Sequence, residues 1–298
     1  MSRHLDILYR GPLASCNYAC PYCPFAKRRD SRETLRRDAE QLARFVAWVD
    51  GQRRRSLGIL FTPWGEALIR PAYRAAMMRL SRMPQVRRVA AQTNLSWPTG
   101  WLDDCDPARI AFWCTFHPGE TSLDRFLGRC ATLDARGIGY SVGVVGKREH
   151  LASVAALRAA LRPEIYLWVN AYRDEGPNYY AEDDLAVFQA VDPLFGLNRA
   201  GIRSRGRACA TGESVISVDG DGDARRCHSV KTRIGNLYDP DFDAALTPRP
   251  CPLAQCRCHI GYAHMPHLGF RDLFGDGLLE RALPAPHAAE TGRTRPGG

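Results

Sequence analysis

An α/β fold, built as a partial (β/α)6 TIM-like barrel with a small cysteine-rich C-terminal β extension, is predicted by three features of this 298-residue sequence. Short apolar runs alternate with helical stretches six times, at roughly 33 residues per unit, the size of a βαβ repeat. A closed barrel of eight units needs about 250 residues, so this stretch supplies about six-eighths of one. A cluster of three cysteines follows directly on the first run. Beyond residue 203 the repeat gives way to short β segments, glycine turns and five further cysteines.

The elements follow in order. Leu5-Asp6-Ile7-Leu8-Tyr9 reads as the first strand, followed by the cysteine loop and a helix over 31–50. A second strand is expected over 57–62, with a helix after Pro71, then a third strand over 89–94 and a fourth over 110–117. Strands over 140–145 and 165–172 complete the six, separated by helices over 122–136 and 151–161. Strand–helix repeats of this kind specify a parallel sheet with right-handed crossovers. On the sixth strand Tyr166, Trp168, Asn170 and Tyr172 share one face, while Ile165, Leu167, Val169 and Ala171 share the other. Thr115 and His117 lie together at the carboxyl end of the fourth strand. These polar and aromatic positions are expected to face a cavity above the cysteines; the plainer alternative is an aromatic core with His117 in a turn before Pro118. A short amphipathic segment over 182–191 closes this part. The organisation expected is a barrel over 1–200, a metal-dependent appendix over 203–270 with too few apolar residues for its own core, and a Pro, Ala, Thr and Gly-rich tail over 284–298 expected to be disordered.

Composition excludes several classes. With 45% hydrophobic and 24% charged residues the chain is neither disordered nor fibrous. No run approaches the roughly 20 apolar residues that span a bilayer, and the start lacks the apolar segment of a secretory signal. A cytoplasmic protein without a membrane partner is expected. The net charge of +9 comes almost wholly from arginine, since Lys27, Lys147 and Lys231 are the lysines. Apart from mild clusters at 27–29 and 53–55 the charge is scattered, without the stripe that a phosphate backbone would require. Nucleic acid is therefore not the expected partner.

In such a chain grouped cysteines read as metal ligands or catalytic groups rather than a disulfide framework. Cys105, Cys114 and Cys130 stand alone among apolar neighbours and read as small core residues. Cys16, Cys20 and Cys23 sit on one loop directly after the first strand, at the rim where barrel active sites gather. Their spacing lets three thiolates converge on three corners of an iron–sulfur cube, leaving one iron open for an exchangeable ligand. Zinc, the alternative, lacks an obvious fourth ligand in this loop. Asp219-Gly220-Asp221-Gly222-Asp223 resembles a calcium loop superficially, but Ala224 and Val230 stand where that loop needs glycine and glutamate, so it reads as a hairpin turn. His228, His259, His264 and His267 lie near the second cysteine group, where surface or packing roles are the simplest reading.

The trio Cys16-x3-Cys20-x-Tyr22-Cys23, after the first strand of a partial barrel, resembles the signature of the radical S-adenosylmethionine superfamily over residues 4–200. Thr62-Pro63-Trp64-Gly65-Glu66-Ala67 resembles the family's Gly-Gly-Glu segment, with Trp64 in place of the first glycine. Asn94 ends the third strand where related enzymes place groups near the ribose. Val144-x-Gly146-x-x-Glu149 resembles the adenine-binding segment, with Val142 where its first glycine would be. The resemblance implies that Cys16, Cys20 and Cys23 hold a 4Fe-4S cluster. It further implies that Tyr22, Gly65, Glu66, Asn94, Val144, Gly146 and Asn170 surround S-adenosylmethionine. The implied chemistry is reductive cleavage of that cofactor to a 5′-deoxyadenosyl radical that abstracts hydrogen from a substrate, inside a closed and dry cavity.

Cys209-Ala-Thr-Gly212, Gly222-x4-Cys227, Ile234-Gly235-Asn236-Leu237 and Cys251-x4-Cys256-x-Cys258 are similar to the SPASM and shorter twitch extensions, which bind auxiliary iron–sulfur clusters. The resemblance implies an auxiliary 4Fe-4S cluster on Cys209, Cys227, Cys256 and Cys258 with Cys251 spare; a structural zinc site is the alternative. A cluster with four protein ligands would relay an electron, and one with an open iron could bind substrate. The expected partners are a peptide or small-molecule substrate and an electron donor such as flavodoxin or ferredoxin. Two other readings compete: a radical enzyme acting on RNA, and a non-enzymatic iron–sulfur or zinc redox sensor.

Overall fold

The computed structural model describes residues 3–25, 28–173, 175–176 and 178–284. The tail expected to be disordered lies, from residue 285 onward, outside the described residues.

Six strands and the four helices that join them form in the expected order, β3 passing to β4 without an α-helix: β1 (Arg3–Arg10), α1 (Arg32–Asp50), β2 (Arg55–Phe61), α2 (Pro71–Ser81), β3 (Val86–Thr93), β4 (Ile110–Phe116), α3 (Leu123–Ala135), β5 (Gly139–Gly146), α4 (Leu151–Ala160) and β6 (Leu167–Ala171). Local chemistry fixes their ends. Ser31 Oγ accepts from Thr34 N at 3.1 Å to cap α1, Ser122 Oγ does the same for α3 with Arg125 N at 3.3 Å, and Pro71 opens α2. Leu42, Phe45, Val46 and Val49 make the buried stripe of α1 at helical spacing.

Strands β1 to β6 pair in sequence order and all in parallel, so the expected partial barrel holds and the sheet stays open. Each strand buries both faces. Leu5, Ile7, Tyr9, Leu57, Ile59, Phe61, Val89, Ala91, Val142 and Val144 pack with the helices, whereas Leu8, Leu60, Ala90 and Ala111 meet inside the curve of the sheet.

Past β6 come α5 (Glu182–Val191), α6 (Phe195–Ala200), β7 (Ile202–Arg203), β8 (Val215–Asp219), β9 (Asp223–Arg225), β10 (Arg233–Asn236), β11 (Gln255–Cys256) and α7 (Phe270–Phe274). Two features here go beyond the sequence reading. First, β8 pairs in parallel with β1, setting Ile7 beside Ile216 and Tyr9 beside Val218, so the sheet has nine strands in the order β10-β9-β8-β1-β2-β3-β4-β5-β6. A five-residue run without a helix before it carries no spacing signal for its partner. Second, residues 278–282 enter the curve of the sheet: Leu279 joins Leu8 and Leu60, Glu280 ion-pairs with Arg88 and its carbonyl accepts from Ser141, and Arg281 lies 3.5 Å over the Trp168 ring. The β8–β9 connection is the expected hairpin, with Asp219 Oδ1 accepting from Asp221 N and Asp223 N. No helix among the described residues is long and apolar enough to cross a membrane.

Candidate functional site

The loop that follows β1 is tied down by carboxylates from α1 and the turn before it. Asp30 Oδ2 accepts from Ala14 N, Ser15 N and Ser15 Oγ at 2.9, 2.8 and 2.7 Å. Burial pushes the Asp30 carboxyl up, but those donors and the nearby Arg70 outweigh it and hold the group below its ordinary value. Asp38 Oδ1 accepts from Leu13 N and from Tyr73 Oη. On the far side Glu120 Oε1 accepts from Ala19 N at 3.1 Å.

The turn after β2 presses on this loop. A Cβ on Gly65 would stand 1.9 Å from the Ser15 carbonyl oxygen, so only glycine fits, and Glu66 N donates to that same oxygen. Glu66 is 2% exposed and accepts from Asn94 N, Leu68 N and Thr93 Oγ1 at 2.6, 2.9 and 3.0 Å. Burial outweighs these bonds and pushes its carboxyl up to about 7. Asn94 Nδ2 in turn reaches Asn17 Oδ1 at 3.1 Å and Cys16 Sγ at 3.8 Å.

A cavity of about 220 Å³ opens above these residues. Cys16, Cys20 and Cys23 all line it, together with Tyr22, Gly65, Glu66, Asn94 and Asn170. Thr115 and His117 line it as well, as their strand positions predicted. Cys20 Sγ and Tyr22 Oη lie 3.4 and 3.1 Å from His117 Nδ1, and burial lowers that imidazole to about 4. Burial raises both the Cys16 and the Cys20 thiols, the latter to about 11. Val144 stands elsewhere: it is fully buried on the helix side, and Val145 lines the cavity in its place. Gly146 lies against Val169 and Asn170 at the end of β5, its carbonyl taken by Tyr180 Oη at 2.7 Å. Tyr166 and Trp168 lie in an inner aromatic cluster with Trp113.

The second cysteine group forms around β11 and the turn after it. Cys256 registers with Ile202 across the β7–β11 pair. A Cβ built on Gly261 would meet Cys258 Sγ at 3.5 Å and Cys256 Sγ at 3.6 Å, so both thiols flank one small residue. Burial pushes the Cys256 thiol up to about 12, with Cys258, Cys227 and Cys251 as its electrostatic neighbours. Cys209 packs against the same cluster as Cys256 and Cys258, its Sγ 3.1 Å from Thr211 Oγ1. No cysteine is in a disulfide, and among the described residues no three His, Cys, Asp or Glu side chains are set to hold a single metal ion. Cys114 and Cys130 are buried in the main core as expected. His228 bridges Thr62 Oγ1 and Ser217 Oγ, at 3.1 Å each, and His264 is buried.

Sequence reasoning missed Arg10, Phe25 and His150. Arg10 ends β1 and lies 4.0 Å over the Trp64 ring, whose other neighbour is Phe25 at 4.8 Å between centroids. Its signal was its place at a strand's carboxyl end. Phe25 and His150, the latter edge-on to Tyr22, carried none.

No family model and no curated protein matches the chain. Among solved structures it is similar to Streptococcus suis SuiB bound to S-adenosylmethionine, with 14% identity and a TM-score of 0.55 over 83% of this chain. The match spans 66% of SuiB, just under two thirds of its length. It is also similar to anSMEcpe with bound AdoMet and Cp18Cys peptide, at 16% identity and a TM-score of 0.50, covering 81% of this chain and 82% of that one. The fold expected from the sequence is the fold these structures share.

Proposed function

We propose that the chain is a radical S-adenosylmethionine enzyme acting on a peptide or small metabolite. The observation that carries this reading is the convergence of Cys16, Cys20 and Cys23 with Gly65, Glu66, Asn94 and Asn170 on one cavity. It lies at the carboxyl ends of the strands, in a fold shared with two proteins solved with that cofactor.

The residues present fit the cofactors. Three free thiols on one loop, facing one cavity, offer three corners of a 4Fe-4S cluster, and Gly65 lets the next turn approach that loop as closely as backbone allows. With cluster and S-adenosylmethionine bound, their chemistry is one-electron cleavage to a radical that takes hydrogen from an unactivated carbon. The protein's share is position and exclusion of water. Asp30, Asp38 and Glu120 fix the loop, and Glu66 joins the ends of β2 and β3. Tyr22, Asn94 and Asn170 supply polar groups toward the cofactor, with Val145 of β5, rather than Val144, beside them. Residues 278–282 fill the curve of the sheet below the cavity.

A SPASM/twitch-like extension over 203–270, set beside a barrel over 1–200, belongs to the same proposal. Cys209, Cys227, Cys256 and Cys258 would hold an auxiliary 4Fe-4S cluster with Cys251 spare; the approach of the Cys256 and Cys258 thiols to the same residue, Gly261, supports a ligand shared by the two. Its role would be to relay an electron, with a flavodoxin or ferredoxin as external donor. The peptide bound to anSMEcpe supports a peptide as substrate.

The test is anaerobic. Wild-type protein should hold about eight irons and, once reduced, form 5′-deoxyadenosine from S-adenosylmethionine. A C16A/C20A/C23A variant should fall to about four irons and make none. Product formation by that variant, or one zinc in place of four of the irons, would overturn the respective half of the proposal.

A further inference from the structure

Beside the cysteine-lined cavity lies a second one of about 360 Å³, on the β8 side of the rim. Trp64 lines both. The charges around the second cavity do not balance. Asp221 is held by Arg37 at 3.2 Å and by Gln41 at 2.6 Å, and Asp219 by Arg225 at 2.8 Å. Two cations of the lining, Arg10 and Lys231, have no carboxylate within ion-pair distance among the described residues. His228, also in the wall, is neutral: burial and then Arg10 lower it to about 3. The acids of this cavity are therefore already neutralised, and two positive charges are left over.

Arg10 is the more telling of the two. Its guanidinium carbon lies 4.0 Å from the Trp64 ring centroid, and its Nε is spent on the Thr62 carbonyl at 2.6 Å. The terminal amino groups have no described hydrogen-bond partner. Burial lowers this arginine to about 10, so it stays charged at neutral pH while losing hydration. A desolvated cation with one coplanar edge of N–H groups free matches the two oxygens of a carboxylate. We infer that Arg10, seconded by Lys231, binds a carboxylate of the substrate in this second cavity. The site deepens the proposed function and rests on the reading that the cysteine-lined cavity is the reaction chamber. A ligand anchored at Arg10 runs past Trp64 toward Cys16, Cys20 and Cys23, and Cys258 lies within electrostatic reach of the same guanidinium.

The experiment is a calorimetric titration of full-length, anaerobically prepared protein at low ionic strength with glutarate, glutaramide and inorganic phosphate. Glutarate should bind and glutaramide should not. Arg10→Gln should weaken glutarate at least tenfold, and Lys231→Met by about threefold. Arg10→Lys, which keeps a charge above Trp64 but not the fork, should fall between wild type and Arg10→Gln, and it serves if the glutamine variant misfolds. Equal binding of glutarate and glutaramide, or no loss on substituting Arg10, overturns the inference. Phosphate binding tighter than glutarate overturns the choice of carboxylate. Formation of 5′-deoxyadenosine by wild type reports separately: Arg10-dependent glutarate binding without that product would keep the subsite and remove the radical reading.

Discussion

Cys16, Cys20 and Cys23 line a cavity on a loop held by hydrogen bonds, whereas Cys256 and Cys258 stand on a turn packed into an aromatic cluster. Carboxylates from outside the first loop, Asp30, Asp38 and Glu120, hold it by its backbone N–H groups. The turn carrying Cys256 and Cys258 is held by packing, through Tyr262, Phe270 and Phe274 and through Arg281, whose guanidinium lies over Trp168 and Trp113 and donates to the His259 carbonyl. A loop fixed by hydrogen bonds can present its thiols to a cavity, because its order does not depend on burying them. A turn fixed by packing draws its order from the side chains buried around it. Under the proposed function, the first would hold a group that exchanges a ligand and the second a group held by protein ligands alone.

Three changes test this contrast. Arg281→Ala removes a fully buried side chain from its aromatic surroundings and should lower stability by on the order of 3 kcal/mol in chemical denaturation. Iron should be lost from the second group and kept at the first; equal loss from both would erase the distinction. Asp30→Ala deletes the acceptor for three donors and should cost about 2 kcal/mol, with iron lost from the first loop instead.

The smallest effect concerns Glu280, which shares the inner strap with Arg281. Burial pushes its carboxyl up to about 7, above its ordinary value, against the pull of Arg88. A proton is therefore held more tightly in the folded state, so the stabilisation present below about pH 4.5 fades as the pH rises through about 7. Glu280→Gln should flatten that decline by on the order of 1 kcal/mol between pH 5 and pH 8, measured by urea unfolding. Glu66, raised in the same way, keeps the rest of the slope.

What was legible in the sequence follows the same division. The parallel strands and the cysteine loop could be read because their signals are local: alternation along a strand, a cap such as Ser31, thiols spaced within a single turn. His117 was legible by position alone, since a residue at the carboxyl end of a barrel strand has only the rim to face. Trp168 belongs to the predicted inward face, yet it meets Arg281 rather than a ligand, because the partner of a strand residue is set by whichever distant segment fills the space. Residues 278–282 have no period and no motif, and only tertiary packing gives them a place. Arg10 carried the same positional signal at the end of β1, but its value lies in what Thr62 and Trp64 leave free, and no spacing along the chain encodes that.

The pairing of Asp6 with Val215 carries a consequence for how the molecule is made. β1 is made well before its second neighbour, β8, with six strands and helices synthesised between them. Until then one edge of β1 lies unpaired beside the cysteine loop, a contact of high sequence separation that is slow to close. The loop after β1 therefore keeps one flank open until residues 215–219 have been made and paired.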